Sequence, residues 1–210
     1  MIKHIIFDFD GTVVDSRYLA VELFNQLAVK YGFRKIKETE FEFFRSLSIT
    51  ERCKTIHAPI YMIPLIYTEL KRGYQKSTTH LRVFPGIKKL LKRLKEKGFK
   101  LSIISSNSVD NINKFLRKNN IDVFDNVYSS RNYFGKDKAL NFFLKKHKLK
   151  GKDVVYIGDE RRDIVACRKN NIKIISVSWG FDSIELLSKE NPDFLVKSPI
   201  ELFDVIVSYP

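Results

Sequence analysis

Cysteine is nearly missing from this chain: Cys53 and Cys167 are the only two among 210 residues. They lie far apart and in no metal-ligand spacing, which excludes a disulfide framework and suits a reducing compartment. Histidine is as sparse, and His4, His57, His80 and His147 are too scattered to suggest a zinc site. No apolar run approaches the roughly 20 residues of a membrane span. The apolar start of the chain is too short for a secretory leader and is interrupted by acids. The expectation is a soluble, cytoplasmic protein with no membrane partner. Internal repeats and low-complexity tracts are also missing.

Acidic side chains are outnumbered, 24 against 38 lysines and arginines, a net charge of +14. Such a field favours anionic ligands, whether phosphate esters, nucleic acid or acidic surfaces. The segment Ile87–Gly98 offers a plainer account. Ile87, Leu90, Leu91 and Leu94 form one apolar stripe, and Lys88, Lys89, Lys92, Arg93, Lys95 and Lys97 cover the rest as a solvated face. Charge therefore names no partner. With 44% hydrophobic residues the chain can bury a substantial core.

Short apolar runs at Ile2–Phe9, Lys100–Ser105, Asn126–Ser130, Val154–Gly158, Lys173–Ser178 and Phe194–Val196 predict strands. Amphipathic patterns at Asp110–Asn119, Asp137–Lys148 and Asp163–Asn170 predict helices between them, with Asp163 as an N-cap. The fold class is α/β: a Rossmann-like parallel sheet covered by helices on both faces. One interval breaks the alternation. About seventy residues separate the first strand from Phe84-Pro85-Gly86, far more than one crossover helix needs. Helical patterns at Tyr18–Tyr31, Glu40–Leu47, Ile49–Ile56 and Pro59–Lys76 make it a small all-helical cap, at about residues 16–80, inserted after the first strand. The core is then 1–15 with 81–210.

The chemistry concentrates where strands end. Phe7-Asp8-Phe9-Asp10-Gly11-Thr12 closes the first strand. Two carboxyls there are costly unless they bind a cation or share a proton, although Asp-Gly is also an ordinary turn. Asp159 ends the run Val155–Asp159, with Asp163 four residues on; hard oxygen ligands at a strand tip suit Mg²⁺. Ser105, Ser106 and Asn107 end a third run with donors that can bind phosphate oxygens or simply form a turn. Phe134-Gly135-Lys136 follows a fourth, where a lysine can reach a dianionic phosphate. Each signal alone is modest. All four fall at the carboxyl edge of the sheet, where open α/β folds bind ligands.

In the order Asp8/Asp10, Ser105, Lys136, Asp159/Asp163, with a helical cap after the first strand, the chain resembles the haloacid dehalogenase superfamily over essentially its whole length. The resemblance implies that Asp8 attacks phosphorus and binds Mg²⁺, and that Asp10 acts as general acid and then general base. The backbone carbonyl of Asp10 and the carboxylate of Asp159 would complete the protein ligands of the metal. Ser105 and Lys136, with Ser106 and Asn107, would hold phosphoryl oxygens, and Asp163 would orient metal waters or Lys136. Many relatives have Lys-Pro where this chain has Lys136-Asp137-Lys138, so Lys138 competes. Lys136 is preferred because it follows the strand and turn before the helical pattern begins.

An acid at Asp10 points away from dehalogenation, towards a phosphatase for small phosphorylated metabolites or a phosphomutase with the same intermediate. The phosphoglycolate-phosphatase-like group is the nearest in pattern, through Phe44-Arg45-Ser46-Leu47-Ser48 and Ser178-Trp179-Gly180-Phe181. Arg45 is then a candidate contact for a substrate anion, or a solvent-facing helix arginine. Trp179-Gly180 either shapes a loop near the site or packs. A noncatalytic nucleic-acid-binding protein on the same scaffold is the reading from another class.

Overall fold

The computed structural model describes residues 2–77, 81–130 and 135–208. His80 and Phe134, named above, lie outside them. Six strands form one parallel sheet: β1 (His4–Phe7), β4 (Lys100–Ser105), β5 (Asn126–Ser129), β6 (Val154–Gly158), β7 (Lys173–Val177) and β8 (Phe194–Val196). Their order is β5-β4-β1-β6-β7-β8, every neighbouring pair parallel. The most apolar run sits at the centre. In β1 every residue is buried, with Phe7 level with Ile103 on one side and Ile157 on the other.

Alternation along the strands sorts the core into two layers. Ile5 and Phe7 join α5 (Ile87–Glu96), α6 (Val109–Lys118) and α10 (Pro199–Val207) on one face. Ile6, Ile104 and Tyr156 join α7 (Lys136–His147), α8 (Arg161–Lys169) and α9 (Ile184–Lys189) on the other. Helix α5 buries Ile87, Leu90, Leu91 and Leu94 while Lys88, Lys89, Lys92 and Lys97 are exposed, the solvated-face arrangement. Among the described residues, no helix is long and apolar enough to cross a membrane. Both cysteines are free and buried.

Between β1 and α5 the chain forms α1 (Arg17–Tyr31), α2 (Phe41–Arg45), α3 (Ile49–Thr55) and α4 (Ile63–Ser77). These helices gather a core of their own around Phe24, Leu27, Phe44, Ile56 and Ile66. Ser48 starts α3 with a reciprocal cap: its hydroxyl accepts from the Glu51 N–H while the Glu51 carboxylate accepts from the Ser48 N–H. Two strands of two residues each, β2 (Val14–Asp15) and β3 (Arg82–Val83), pair antiparallel where the chain leaves for the insert and returns. No strand was expected in this interval, because two residues carry no periodicity.

The insert is bolted to the loop after β7. Arg52 Nη2 lies 2.5 Å from Asp182 Oδ1, Arg45 Nη2 donates to the Ser178 carbonyl at 2.6 Å, and the Ser183 N–H donates to the Arg45 carbonyl at 2.9 Å.

Candidate active site

Asp8 directly follows β1, and its N–H still donates to the Ile157 carbonyl of β6 at 2.8 Å. The sheet therefore holds the backbone of this aspartate. Gly11 then takes a left-handed conformation (φ +78°), and the N–H groups of Val13 and Val14 both fold back onto the Phe9 carbonyl. This tight turn keeps Asp8 and Asp10 at one rim. A side chain at position 11 would meet Asp159 Oδ2 at 2.2 Å, so glycine also makes room for the neighbouring strand end.

Asp8, Asp159 and Asp163 are buried, and one carboxylate oxygen from each lies within 4.8 Å of the others. Lys136, equally buried, donates to Asp8 Oδ2 at 2.7 Å and to Asp163 Oδ1. Burial penalises the ammonium, but the charges of Asp163 and Asp8 outweigh that and raise its pKa. Asp163 is pushed up to about 6, chiefly by burial, with Lys136 pulling back. Asp159 accepts from Thr12 Oγ1 at 2.6 Å and from the Phe181 N–H at 2.7 Å. Neither donor carries a charge. Burial, and then the negative charges of Glu160, Asp8 and Asp163, drive its carboxyl well above the usual range.

Three clustered carboxyls thus have one ammonium among them, and of the three it bonds only Asp8 and Asp163. Hard oxygen donors, gathered and dehydrated, with Asp159 lacking any cationic partner among the described residues, fit a small divalent cation. The cluster can hold such an ion.

Asp163 is the third residue of α8 rather than its N-cap. Glu160 occupies the cap, and Asp163 Oδ2 reaches back to the Glu160 N–H at 3.2 Å. The other Asp163 oxygen is thereby aimed at Lys136. Lys136 itself opens α7, one residue ahead of the expected start, whereas Lys138 is exposed on the same helix. Position one of a helix following a strand points into the rim; position three has turned away by about 200°.

Asp10 stands apart from the three clustered acids. Its Oδ1 accepts from the Tyr74 hydroxyl at 2.5 Å and its Oδ2 from Asn107 Nδ2 at 3.0 Å. Burial raises its pKa to about 6; the hydrogen bond from Tyr74 opposes that rise, and the Asp8 charge adds to it. Ser105 is fully buried, its hydroxyl accepting from the Asn107 N–H at 3.1 Å. Ser106 Oγ lies 3.5 Å from Arg162 Nη2, and its carbonyl accepts from the Tyr67 hydroxyl at 2.6 Å. Asn107 Oδ1 accepts from the Ser108 N–H and from Asn111 Nδ2, which fixes the amide so that its donor faces Asp10.

Arg45, expected as a candidate anion contact, has its guanidinium bonded to Glu42 and to the carbonyls of Ser178 and Asp182. Geometry makes it a docking residue. Trp179 Nε1 donates to the Thr12 carbonyl at 3.1 Å, and a Cβ at Gly180 would meet Asp159 Oδ2 at 2.1 Å. That loop does pack on the site. Tyr67, Tyr74, Thr12 and the Phe181 N–H were not singled out from sequence. Thr12 was within reach, inside the first motif; the tyrosines carried only a seven-residue spacing.

A parallel sheet thus gathers paired acids, a lysine and hydroxyl donors at its carboxyl edge, where open α/β folds bind their ligands. Residues 5–177 match the family model for haloacid dehalogenase-like hydrolases, and the chain belongs to that family. A phosphoglycolate phosphatase of Synechococcus elongatus is 30% identical, with 96% of both chains aligned. The pyrophosphatase PpaX of Bacillus pumilus is 22% identical over 98% of this chain and 96% of its own. Among solved structures, a predicted phosphatase from Clostridium acetobutylicum superposes with a TM-score of 0.84 at 21% identity, all of both chains covered.

Proposed function

We propose that the chain is a Mg²⁺-dependent phosphatase that hydrolyses small phosphate monoesters through a phosphoaspartate on Asp8. The observation that carries this reading is the ammonium of Lys136, bridging Asp8 and Asp163 beside Asp159, all four side chains buried. Asp8, Asp159 and the backbone carbonyl of Asp10 would hold the Mg²⁺, which when bound offsets the repulsion between a carboxylate and a phosphate dianion.

Asp8 attacks phosphorus, and the bond from phosphorus to the ester oxygen breaks with its electron pair going to that oxygen. Asp10 gives the leaving oxygen a proton. The Asp10 carboxylate then takes a proton from a water as that water attacks phosphorus. The bond to Asp8 breaks, phosphate leaves and both acids are restored. A carboxyl raised to about 6 suits a group that must both give and take a proton near neutrality. Lys136 spreads phosphoryl charge beside Asp8, and Asp163 holds Lys136 in place. Ser105 and Ser106 supply donors beside the phosphoryl oxygens. The helical insert, residues 16–80, serves as the cap that covers this edge.

The identity of the Synechococcus relative supports a small phosphorylated acid as the substrate class, and the resemblance of the chain to PpaX keeps pyrophosphate in the panel. The test is a phosphate-release screen over metabolite phosphates with and without Mg²⁺, repeated with Asp8→Asn. Mg²⁺-dependent release that falls to background in Asp8→Asn is expected. Near-normal turnover by the variant would remove Asp8 from the nucleophile's role, and isomerised sugar phosphate without release would make the enzyme a mutase.

A further inference from the structure

Helix α4 lays two tyrosines against the catalytic rim. Tyr67 and Tyr74 are seven residues apart, about two helical turns, so both emerge from one face. Tyr67 donates to the Ser106 carbonyl at 2.6 Å, and Tyr74 donates to Asp10 Oδ1 at 2.5 Å. The reach of Tyr74 is set by its neighbour: a Cβ at Gly73 would meet Leu23 Cδ2 at 2.7 Å, so glycine lets α4 lie close against α1 just where Tyr74 must reach the core.

The Asp10 carboxyl is therefore held from two directions. Asn107 grips Oδ2 from the core, and Tyr74 grips Oδ1 from the insert. A carboxyl at the end of a strand, left with one hydrogen bond, rotates about its terminal torsion. With both, its plane is fixed. The two bonds use only part of the about four acceptor positions of the carboxylate, so lone pairs remain with which it can take a proton.

We propose that Tyr74 is a positioning residue for Asp10, carried in on α4, so that the acid–base carboxyl is aligned only while the helical insert is seated on the core. This rests on the role of Asp10 set out under the proposed function. The phenol keeps its own proton throughout. The proton that reaches the leaving oxygen comes from Asp10, and Asp10 takes the next one from water.

Alignment of a general acid matters in proportion to how badly the leaving group needs a proton. An alkoxide needs it; 4-nitrophenolate, a weak base, scarcely does. Tyr74→Phe removes only the hydroxyl. Expected is a fall of about tenfold in kcat/KM for an alkyl phosphate, glycerol 3-phosphate or 2-phosphoglycolate, with 4-nitrophenyl phosphate changed by no more than about twofold. The ratio of the two is independent of how much of the sample is folded. In an Asp10→Asn background the added Tyr74→Phe should leave that ratio unmoved.

Equal falls for both substrates, or no fall, would overturn the inference. So would a Tyr67→Phe variant that shifts the ratio as far as Tyr74→Phe, since that would credit the seating of the helix and not the phenol bond. An inert wild type takes the phosphatase reading and this inference down together. An active wild type silenced by Asp8→Asn, with an unmoved ratio in Tyr74→Phe, takes down this inference alone.

Discussion

Lys136 Nζ lies 2.7 Å from Oδ2 of Asp8, a residue 128 positions earlier in the chain, and both side chains are shut away from solvent. The second partner of the ammonium is Asp163. One buried cation thus serves two buried anions, and neither anion has another cationic partner among the described residues. The arrangement is costly to build and more costly to break.

Removing the lysine should show that cost. Lys136→Met leaves Asp8 and Asp163 facing each other without compensation, and the expected loss of stability is about 3–5 kcal/mol without metal. Turnover should fall at least about 100-fold. Lys138→Met, on the exposed side of the same helix, should change stability by no more than about 0.5 kcal/mol and leave turnover alone. Urea unfolding and steady-state rates on the two variants measure this. Equal effects from both would mean that Lys136 does not carry the charge of the site.

A steric prediction concerns Asp159. Gly180→Ala places a methyl 2.1 Å from Asp159 Oδ2 and 2.2 Å from its Cβ, so the carboxylate must turn out of the cluster or the loop must lift. Either way the Phe181 N–H bond to Asp159 is disturbed. The Mg²⁺ concentration for half-maximal activity should rise at least about tenfold. Gly98→Ala is the comparison: its left-handed backbone costs about 1 kcal/mol, but the added methyl meets nothing within 4 Å, and metal dependence should stay as it was. Metal titrations that coincide for Gly180→Ala and the wild type would show that Asp159 tolerates displacement or binds no ion.

What the sequence discloses follows from how local each cause is. The strands of the sheet are short apolar runs bounded by turn residues, and they appear within a residue or two of where periodicity puts them; Lys100–Ser105 and Val154–Gly158 coincide. Asp8, Asp159 and Lys136 come together because strand ends in a parallel sheet share one edge, so their positions in the chain imply their meeting. Asp163 falls on the expected helix but at its third position rather than its cap, since capping by Glu160 or by Asp163 looks alike until the backbone is seen, while its expected reach to Lys136 is present. Tyr74 was illegible. Its function depends on how α4 docks on α1 and on the rim, a tertiary fact with no pattern in the residues around it. The same holds for Arg45, which besides its helical neighbour Glu42 bonds backbone carbonyls about 130 residues away that no composition announces.

The opposite end of β1 offers a pH-dependent test that does not involve catalysis. His4 begins the strand, buried, with Nε2 2.8 Å from Ser102 Oγ and its ring edge-on to Phe143 at 5.0 Å between centroids. Burial, then the nearby His147, lowers its pKa to about 4 from an ordinary 6.5. Above pH 6.5 the imidazole is neutral in both folded and unfolded chains and contributes nothing to pH dependence. Between 6.5 and about 4 the unfolded chain takes up a proton that the folded chain refuses, so stability falls as pH falls, by roughly 2 kcal/mol at pH 5. Below about 4 both states are protonated and the loss is complete. His4→Gln keeps a polar group beside Ser102 but cannot titrate. Denaturation at pH 7.5 and pH 5 should show the wild type losing roughly 2 kcal/mol more than the variant. Parallel losses in the two proteins would mean that the imidazole takes its proton without leaving the core, and that the amino end of β1 admits water.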